Sequence, residues 1–332
     1  MFIIAMRSIA WVFGKQPFTR LPIRKSGSGT INGHNANTPT EHGVSVPSAL
    51  WNAWDLTANF RNIGWTGPQK ILVPTPYLRV ESRSIFVLVS LCRLTFLAVG
   101  FDALCRYVRS FGRDTFGTPK GGTIFDPALP IVERYTKSSI ITLLSGLTAY
   151  LIIDATYQLH AILYMVLFRQ YPSQWPPLFD APWLSTSLSS FWGRRWHQLF
   201  REPFVVVGSK PMEIFLGRVG AVMGAFALSG VLHDIGMRGM GRGADTLPVV
   251  CFFLIHGVGI LMEHAYKRAT GRRVGGIIGW LWVLSWLVLW GQLVVDAWAR
   301  RGLLGSKFFP EAYRPSTLFL NWLSSAPQAH PV

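Results

Sequence analysis

The chain has 332 residues, of which half are hydrophobic, 14% are charged and 14 are tryptophan. Soluble domains carry about 25% charged residues, so this composition indicates an integral membrane protein. The formal net charge of +16 does not indicate a nucleic-acid partner, because Lys and Arg fall in the loops between apolar runs and no soluble domain concentrates them.

The N-terminal part, residues 1–83, is predicted to be a cytosolic or interfacial segment. Its first residues, MFIIAMRSIAWVF, are apolar over too short a stretch to span a bilayer, and no small-residue cleavage site follows, so we do not interpret them as a signal peptide. They fit an interfacial helix or the end of a longer helix. Residues 26–48 are rich in Ser, Gly, Asn, Thr and Pro, which predicts a flexible loop.

The rest of the chain, residues 84–326, is predicted to be one all-α, polytopic membrane-embedded domain. Its apolar runs are long enough to cross the lipid bilayer, which takes about 17–25 mostly apolar residues. The five runs lie at 84–105, 138–168, 213–235, 247–265 and 277–298. The second exceeds one upright crossing, so we expect it to tilt, bend or extend past the bilayer. We therefore predict about five or more transmembrane helices with interfacial helices beside them.

The loop charges predict an orientation. If the helices alternate, the side that carries the N-terminus has 18 Lys and Arg and the other side has 12. The positive-inside rule then places the N-terminus and residues 188–201 in the cytosol. The three cysteines fall in or beside apolar runs, and neither a disulfide framework nor a metal site is predicted from them.

The densest cluster of cations and aromatic residues is SSFWGRRWHQLFR, residues 189–201. If residues 188–201 form a helix, apolar and polar side chains occupy different faces, which predicts a helix at the membrane interface with its aromatics in the lipid. The apolar face comprises Trp192, Trp196, Leu199 and Phe200, and the polar face comprises Arg194, His197, Gln198 and Arg201. Such a helix either anchors the protein to anionic lipid or binds the phosphates of an acyl donor such as coenzyme A. Spacing alone favours neither.

His233 lies in the third apolar run, in the sequence AFALSGVLHD. On a helix, Ser229 and Gly230 stand four and three positions before it, so small residues leave room for another helix or a bound chain. Ionisable groups inside a membrane usually face a cavity or a partner. A neutral imidazole in apolar surroundings suits a general base that accepts a proton from an alcohol. A hydrogen bond between helices is the structural alternative.

Taken together, SFWGRRWHQLFR, FALSGVLHD and FFLIHGVGILMEH resemble the wax-synthase-like branch of the membrane-bound O-acyltransferases. NFRNIGW and SRSIFVLVSLCRLTFLAVGFDAL resemble the N-terminal half of its fungal members, so the resemblance covers about residues 50–300. Among these members the chain most resembles the O-acetyltransferases of secondary-metabolite clusters, especially those that act on terpenoids and meroterpenoids.

The resemblance implies a helical enzyme of the endoplasmic reticulum with an internal tunnel. Acyl-CoA enters from the cytosol as a co-substrate, no permanently bound cofactor is implied, and a hydrophobic alcohol arrives from the membrane or the other side. His233 corresponds to the histidine that acts as general base. His197 stands where other branches have a catalytic Asn, so it is either a second catalytic residue or a contact to phosphate or carbonyl.

These observations predict an acyl-CoA-dependent O-acyltransferase, foremost an O-acetyltransferase that esterifies a hydrophobic secondary metabolite. Arg194, Arg195 and Arg201 are expected to bind the CoA phosphates, with Trp192 and Trp196 fixing their helix. The expected tunnel lining includes Ser229, Gly230, His256 and Glu263, with Arg218 as a candidate partner of Glu263. The alternatives are a long-chain wax or sterol ester synthase, a membrane transporter, or an inactive relative.

Overall fold

The computed structural model describes residues 2–13, 18–21, 46–66, 73–74 and 80–325. These residues form ten α-helices and no β-strand, which confirms the all-α fold class. In chain order the helices are α1 (Phe2–Val12), α2 (Val46–Ala58), α3 (Arg83–Ser110), α4 (Ile131–Leu167), α5 (Leu188–Ser190), α6 (Arg201–Pro203), α7 (Lys210–Gly239), α8 (Thr246–Thr270), α9 (Gly276–Arg300) and α10 (Pro315–Ser325). Of the predicted loop at 26–48, residues 26–45 lie outside the described residues, and 46–48 belong to the first turn of α2.

Within the described part of the chain, five helical stretches are long and apolar enough to span a membrane, which confirms the multi-pass prediction. They are α3, α4, the stretch Arg201–Gly239, α8 and α9. Helix α4 has 37 residues, about 55 Å at 1.5 Å per residue. It is therefore longer than the roughly 30 Å hydrocarbon core of a bilayer, as the length of its apolar run predicts.

The spanning helices pack with alternating directions, so their connections gather at two ends of the bundle. End A comprises residues 168–187 and 271–275, and there Nε1 of Trp280, close to the N-terminus of α9, donates to the carbonyl oxygen of Trp183 at 2.8 Å. End B comprises residues 111–130, 240–245 and 301–314. There Asp296, close to the C-terminus of α9, accepts from the backbone N–H of Ile124 at 2.8 Å.

Polar side chains inside the bundle pair with one another. Nη2 of Arg93 on α3 donates to Oδ2 of Asp154 on α4 at 2.7 Å, and Gln158 donates to the other carboxylate oxygen at 3.3 Å. Asp154 is fully buried, and a buried carboxylate is stable in apolar surroundings when it is paired and hydrogen-bonded. Arg93 and Asp154 therefore connect α3 to α4, and this structural role accounts for both charged groups.

The predicted span 213–235 is wrong at its start, because α7 is interrupted at Gly217. This residue has φ +55° and ψ −141°, a conformation open to glycine and strained for residues with a Cβ. The two sides pack in antiparallel order: a Cβ at Gly224 would clash with the carbonyl oxygen of Gly208, and a Cβ at Gly220 would clash with the backbone of Met212. The chain thus turns back at Gly217, and residues 218–239 form the full-length arm.

Residues 188–216, which we call the inserted segment, correct the prediction of one interfacial helix at 188–201. Helix α5 continues into a π-helical turn over Phe191–Arg195, and Trp196 is extended with φ −74° and ψ 157°. Trp192 contacts Phe252 and Phe253, which lie a quarter of the way along α8 from its end-B terminus. The tryptophans therefore face protein, not lipid, because aromatic partners inside the bundle accommodate both rings.

Candidate active site

A cavity of about 1030 Å³ lies inside the bundle. At end A its wall includes Trp54, Gln170 and Trp175, and at end B it includes Met240 and Phe308. The cavity therefore extends between the two ends, as the predicted internal tunnel requires. We refer to it as the tunnel.

The tunnel wall changes in polarity along its length. Polar and aromatic side chains dominate towards end A: Trp54, Asn59, Arg61, Tyr157, Tyr164, Gln170, Gln174, Trp175 and His197. Apolar side chains dominate towards end B: Phe101, Val108, Leu232, Met237, Met240, Trp298, Leu303, Leu304 and Phe308. The wall towards end A therefore suits a polar ligand, and the wall towards end B suits an apolar one.

His233 lies on the tunnel wall, on the full-length arm of α7. Its Nδ1–H donates to the carbonyl oxygen of Ser229 at 2.8 Å, since a carbonyl oxygen can only accept. In the neutral ring the proton is then on Nδ1, and Nε2 carries a free lone pair. Phe253 packs on the ring with 4.5 Å between centroids. Helix geometry and packing thus fix an imidazole that is ready to accept a proton.

Asp234 does not hold this ring. Its Oδ2 accepts from Nε of Arg238 at 3.0 Å, one turn further along α7. His233 and Asp234 therefore face different neighbours. Polarisation of His233 by a carboxylate, as in a catalytic triad, has no counterpart in this pair.

His197 lies on the wall of the same tunnel, and three aromatic rings surround it: Phe179, Trp196 and Phe200. Its Nδ1 is buried and has no hydrogen-bond partner among the described residues. Burial lowers the pKa of His197 below its usual value, and the neighbouring His233 and Arg61 lower it further. His197 is therefore neutral at physiological pH and, like His233, borders the tunnel.

The three arginines predicted to bind phosphate all contact the chain itself. Arg194 pairs with Asp180 at 2.9 Å and keeps 59% of its side chain exposed. Arg195 donates from Nη1 to the carbonyl oxygens of Asp180 and Ala181 at 2.9 and 3.0 Å. These contacts fasten the inserted segment to end A.

Arg201 is turned inward instead. Its Nη1 donates to the carbonyl oxygen of Gly193 at 3.1 Å and to Oε1 of Gln198 at 3.2 Å, while Nε is buried without a partner among the described residues. Arg201 therefore braces the irregular turn at Gly193. Like Arg194 and Arg195, it is absent from the described tunnel wall.

Trp192 and Trp196 belong to the protein core. Trp196 stacks on Phe191 with 5.4 Å between ring centroids, and Trp192 lies edge-on to His256 at 5.3 Å. Both rings pack against a buried cluster around Leu188 and Phe191. They position the inserted segment by filling space between helices, and neither reaches the described tunnel wall.

The four residues predicted to line the tunnel lie elsewhere, which corrects that prediction. A Cβ at Gly230 would lie 2.9 Å from Cα of Val250, so this glycine serves the close approach of α7 and α8. Ser229 accepts from His233 through its backbone. His256 is fully buried, with Nδ1 donating to the carbonyl oxygen of Phe252 at 2.7 Å.

Glu263 holds the start of the inserted segment. Its carboxylate accepts from the backbone N–H groups of Leu188 at 2.5 Å and Ser189 at 3.0 Å, and from Nε1 of Trp282 at 3.1 Å. The expected pairing with Arg218 is wrong, since Arg218 is 3.3 Å from the imidazole of His264. Glu263 instead satisfies the free N–H groups at the N-terminus of α5, where a negative charge is also favoured.

Sequence reasoning missed Arg61 and Tyr157 as tunnel residues. Nη1 of Arg61 is 3.3 Å from the hydroxyl of Tyr157, although 96 residues separate them. The motif NFRNIGW, which contains Arg61, was an available signal, because it places a cation among aromatic and amide side chains. Nothing in the sequence around Tyr157 distinguishes it from the other aromatic residues of α4.

Residues 175–255 match the family model described as "Membrane bound O-acyl transferase family". The resemblance to the membrane-bound O-acyltransferases is confirmed. The matched residues include both tunnel histidines, His197 and His233, and the whole inserted segment. The match thus falls on the part of the chain that contributes both histidines described above to the tunnel wall.

Curated relatives of this membrane-bound O-acyltransferase-like chain are acyltransferases. The acetyltransferase atnC of Arthrinium sp is 29% identical over 47% of this chain and 40% of its own length. The acetyltransferase spyB of Aspergillus fumigatus is 28% identical over 51% of this chain and 33% of its own length. The long-chain-alcohol O-fatty-acyltransferase of Simmondsia chinensis is 32% identical over 30% of each chain. The chain thus covers less than half of each relative, and no solved structure matches it.

Proposed function

We propose that the protein is an acyl-CoA-dependent O-acyltransferase that transfers an acetyl group to a hydroxyl of a hydrophobic secondary metabolite, such as a terpenoid or meroterpenoid. The observation that carries the proposal is the environment of His233. Its Nε2 carries a free lone pair on the wall of a tunnel that is polar towards end A and apolar towards end B. The names of the fungal relatives support the acetyl donor.

In the proposed reaction, Nε2 of His233 accepts the hydroxyl proton while the alcohol oxygen attacks the carbonyl carbon of the thioester. The tetrahedral intermediate then collapses, the carbon–sulfur bond breaks, and the CoA thiolate takes the proton from the imidazolium. The products are the ester and free CoA, and no covalent enzyme intermediate is needed. A general base of this kind contributes about 10²–10⁴-fold in rate.

We assign a second role in the tunnel to His197. A neutral imidazole has one N–H, which can donate to the thioester carbonyl oxygen as negative charge develops there. Its burial and its proximity to His233 support this assignment. His197 then acts on the donor, and His233 acts on the acceptor.

End A is the side that the loop charges place in the cytosol, so we propose that acyl-CoA enters there. Arg194, which keeps most of its side chain exposed, and the adjoining Arg195 then lie near the entrance, where cations attract phosphates, and Arg201 supports them by bracing the turn at Gly193. The acceptor approaches through the apolar part of the tunnel. We further propose residence in the endoplasmic reticulum, no permanently bound cofactor, and a division into residues 1–83 and the membrane domain 84–326.

A long-chain wax or sterol ester synthase is the second candidate. The apolar wall towards end B favours it, because that part of the tunnel also suits an acyl chain. Plant relatives named long-chain-alcohol O-fatty-acyltransferase and acyl-CoA–sterol O-acyltransferase support it as well. The two candidates share the chemistry at His233 and differ in the group transferred.

The test is to express the chain in microsomes and supply labelled acetyl-CoA or palmitoyl-CoA with terpenoid, sterol and long-chain alcohols. We expect ester formation with acetyl-CoA and a terpenoid alcohol, and its loss in His233→Ala. Preference for palmitoyl-CoA would replace the first candidate by the second. Undiminished activity of His233→Ala would refute the general base, and no transfer from any acyl-CoA would favour a transporter or an inactive relative.

A further inference from the structure

Arg61 is a buried cation on the tunnel wall that the reaction above does not use. It lies in the turn NFRNIGW after α2 and is 4% exposed. Its Nη1 donates to the carbonyl oxygen of Pro176 at 3.0 Å and is 3.3 Å from the hydroxyl of Tyr157. Its Nε and Nη2 are buried and have no hydrogen-bond partner among the described residues.

The turn that carries Arg61 is held on both sides. Asn59 caps it, with Oδ1 accepting from the backbone N–H of Ile63 at 3.1 Å and Nδ2 donating to the carbonyl oxygen of the same residue at 2.9 Å. Asn62 has a positive φ of 50° and donates from Nδ2 to Glu202 at 2.6 Å. The guanidinium is therefore placed before any ligand arrives, which lowers the entropic cost of binding.

Arg61 has no carboxylate partner in the described part of the chain. The nearest acidic residue along the chain, Asp55 in α2, accepts from Arg20 at 2.7 Å, Trp65 at 2.9 Å and Gln170 at 3.1 Å. Burial lowers the pKa of Arg61 from its usual value, yet a guanidinium stays charged in proteins. A buried and uncompensated positive charge is costly, so the tunnel is built for a ligand that brings negative charge to this point.

The two unpartnered nitrogens, Nε and Nη2, form one edge of the guanidinium. Two parallel N–H groups on that edge match two oxygens of a phosphate, and such paired bonds are stronger than bonds between neutral groups. A neutral amide carbonyl offers one oxygen and no charge. The geometry therefore favours a phosphate of an acyl-CoA donor over the amide carbonyls of its pantetheine arm.

Resting on the proposed function, we propose that Arg61 binds a phosphate of the CoA portion of the acyl donor through Nε–H and Nη2–H. The residue lies among the polar side chains towards end A, beside His197. A donor held there by its phosphate directs its thioester deeper, towards His233. Arg61 thus selects a phosphate-bearing donor, while Arg194 and its neighbours remain at the entrance.

The experiment compares acetyl-CoA with acetyl-pantetheine, which carries the same thioester and no phosphate. We expect Arg61→Met to raise KM for acetyl-CoA about 10- to 100-fold. Its kcat with acetyl-CoA, and both KM and kcat with acetyl-pantetheine, should stay within about threefold of the wild-type values. KM for acetyl-CoA in Arg61→Lys is expected to lie between those of the wild type and Arg61→Met, because lysine keeps the positive charge but lacks the two parallel N–H groups of a guanidinium. Arg113→Gln, which removes an exposed cation at end B, is the matched control and should match the wild type.

Equal losses with both donors would overturn the proposal, since they indicate a structural role or a contact to the thioester carbonyl. So would an unchanged KM for acetyl-CoA. Binding of labelled CoA to the purified protein without acceptor separates this inference from the proposed function. Weaker CoA binding by Arg61→Met supports the inference even if no ester forms, whereas equal binding, or none by the wild type, refutes it.

Discussion

His233 on α7 and His256 on α8 have nearly identical local geometry. In each, Nδ1–H donates to the carbonyl oxygen four residues earlier, at 2.8 Å for His233 and 2.7 Å for His256. Each therefore presents Nε2 as an acceptor when the ring is neutral. Helix geometry alone makes both rings equally suited to accept a proton.

Their surroundings differ completely. His233 borders the tunnel, whereas His256 has 0% exposure and its Nε2 meets no partner among the described residues. Trp192 and Phe252 enclose the ring of His256, at 5.3 and 4.4 Å between centroids. The inserted segment supplies Trp192, so it decides which histidine a ligand can reach. Access, rather than the imidazole itself, separates a candidate base from a core residue.

The largest expected effect comes from exchanging each histidine for glutamine. His233→Gln should lower kcat about 10²–10⁴-fold, because the base is lost, while the midpoint of thermal unfolding in detergent stays close to that of the wild type. His256→Gln should keep kcat within about threefold and lower the midpoint, since a longer amide must fit a closed apolar site. Labelled-ester assays and melting curves of both variants measure this.

Equal activity losses in the two variants would contradict the comparison. The same conclusion would follow if His256→Gln were inactive at an unchanged midpoint, because His256 would then act in the reaction. Retained activity of His233→Gln would instead remove the proposed base.

The next effect tests the wall around His256. Trp192→Ala should lower the free energy of unfolding by about 3 kcal/mol, the lower range for a tryptophan removed from a core, because this ring packs against His256, Phe252 and Phe253. Trp183→Ala removes a ring that is 57% exposed and should cost less than about 1 kcal/mol. Melting curves of the two variants measure the difference in stability. The folded fraction of each variant should have the wild-type KM for acetyl-CoA.

A raised KM for acetyl-CoA in Trp192→Ala at an unchanged midpoint would give this ring a part in donor binding beyond its packing role. In that case the ring would have to reach the tunnel when donor is bound.

A smaller effect is expected where the inserted segment begins. Glu263→Gln weakens the charged hydrogen bonds to Leu188 and Ser189 and should cost about 1.5–3 kcal/mol. Glu133→Gln removes an exposed carboxylate from the first turn of α4 and should cost about 0.3–1 kcal/mol. Detergent melting of both variants tests the ranking, which fails if Glu133→Gln is as destabilising as Glu263→Gln.

The sequence predicts the features that depend on neighbouring residues. Hydropathy locates the five spanning stretches, and the small residues before His233 single out the histidine that borders the tunnel. The apolar run 247–265 correctly places His256 and Glu263 on one helix, but it does not report what covers these two side chains. Both are covered by the inserted segment, whose Leu188 binds Glu263 across 75 positions.

The sequence fails where the backbone departs from a regular helix. A periodic pattern over 188–201 assumes one helix, whereas the π-helical turn and the extended Trp196 redirect every following side chain. Long-range contacts are also hidden, as between Arg61 and Pro176, which are 115 positions apart. Neither feature has a local signal strong enough to predict it.

The smallest expected effect comes from two glycines that both have room for a side chain, since a Cβ at Gly217 or Gly146 would meet no atom within 4 Å. Gly217 has φ +55° at the turn that returns the inserted segment, so Gly217→Ala should cost about 1 kcal/mol of backbone strain. Gly146 lies in regular helix in α4, so Gly146→Ala should stabilise by about 0.5–1 kcal/mol. Melting curves should therefore shift in opposite directions. If both alanine variants are more stable than the wild type, the turn at Gly217 is not strained. The enclosure of His256 then depends on Glu263 and Trp192 rather than on the turn at Gly217.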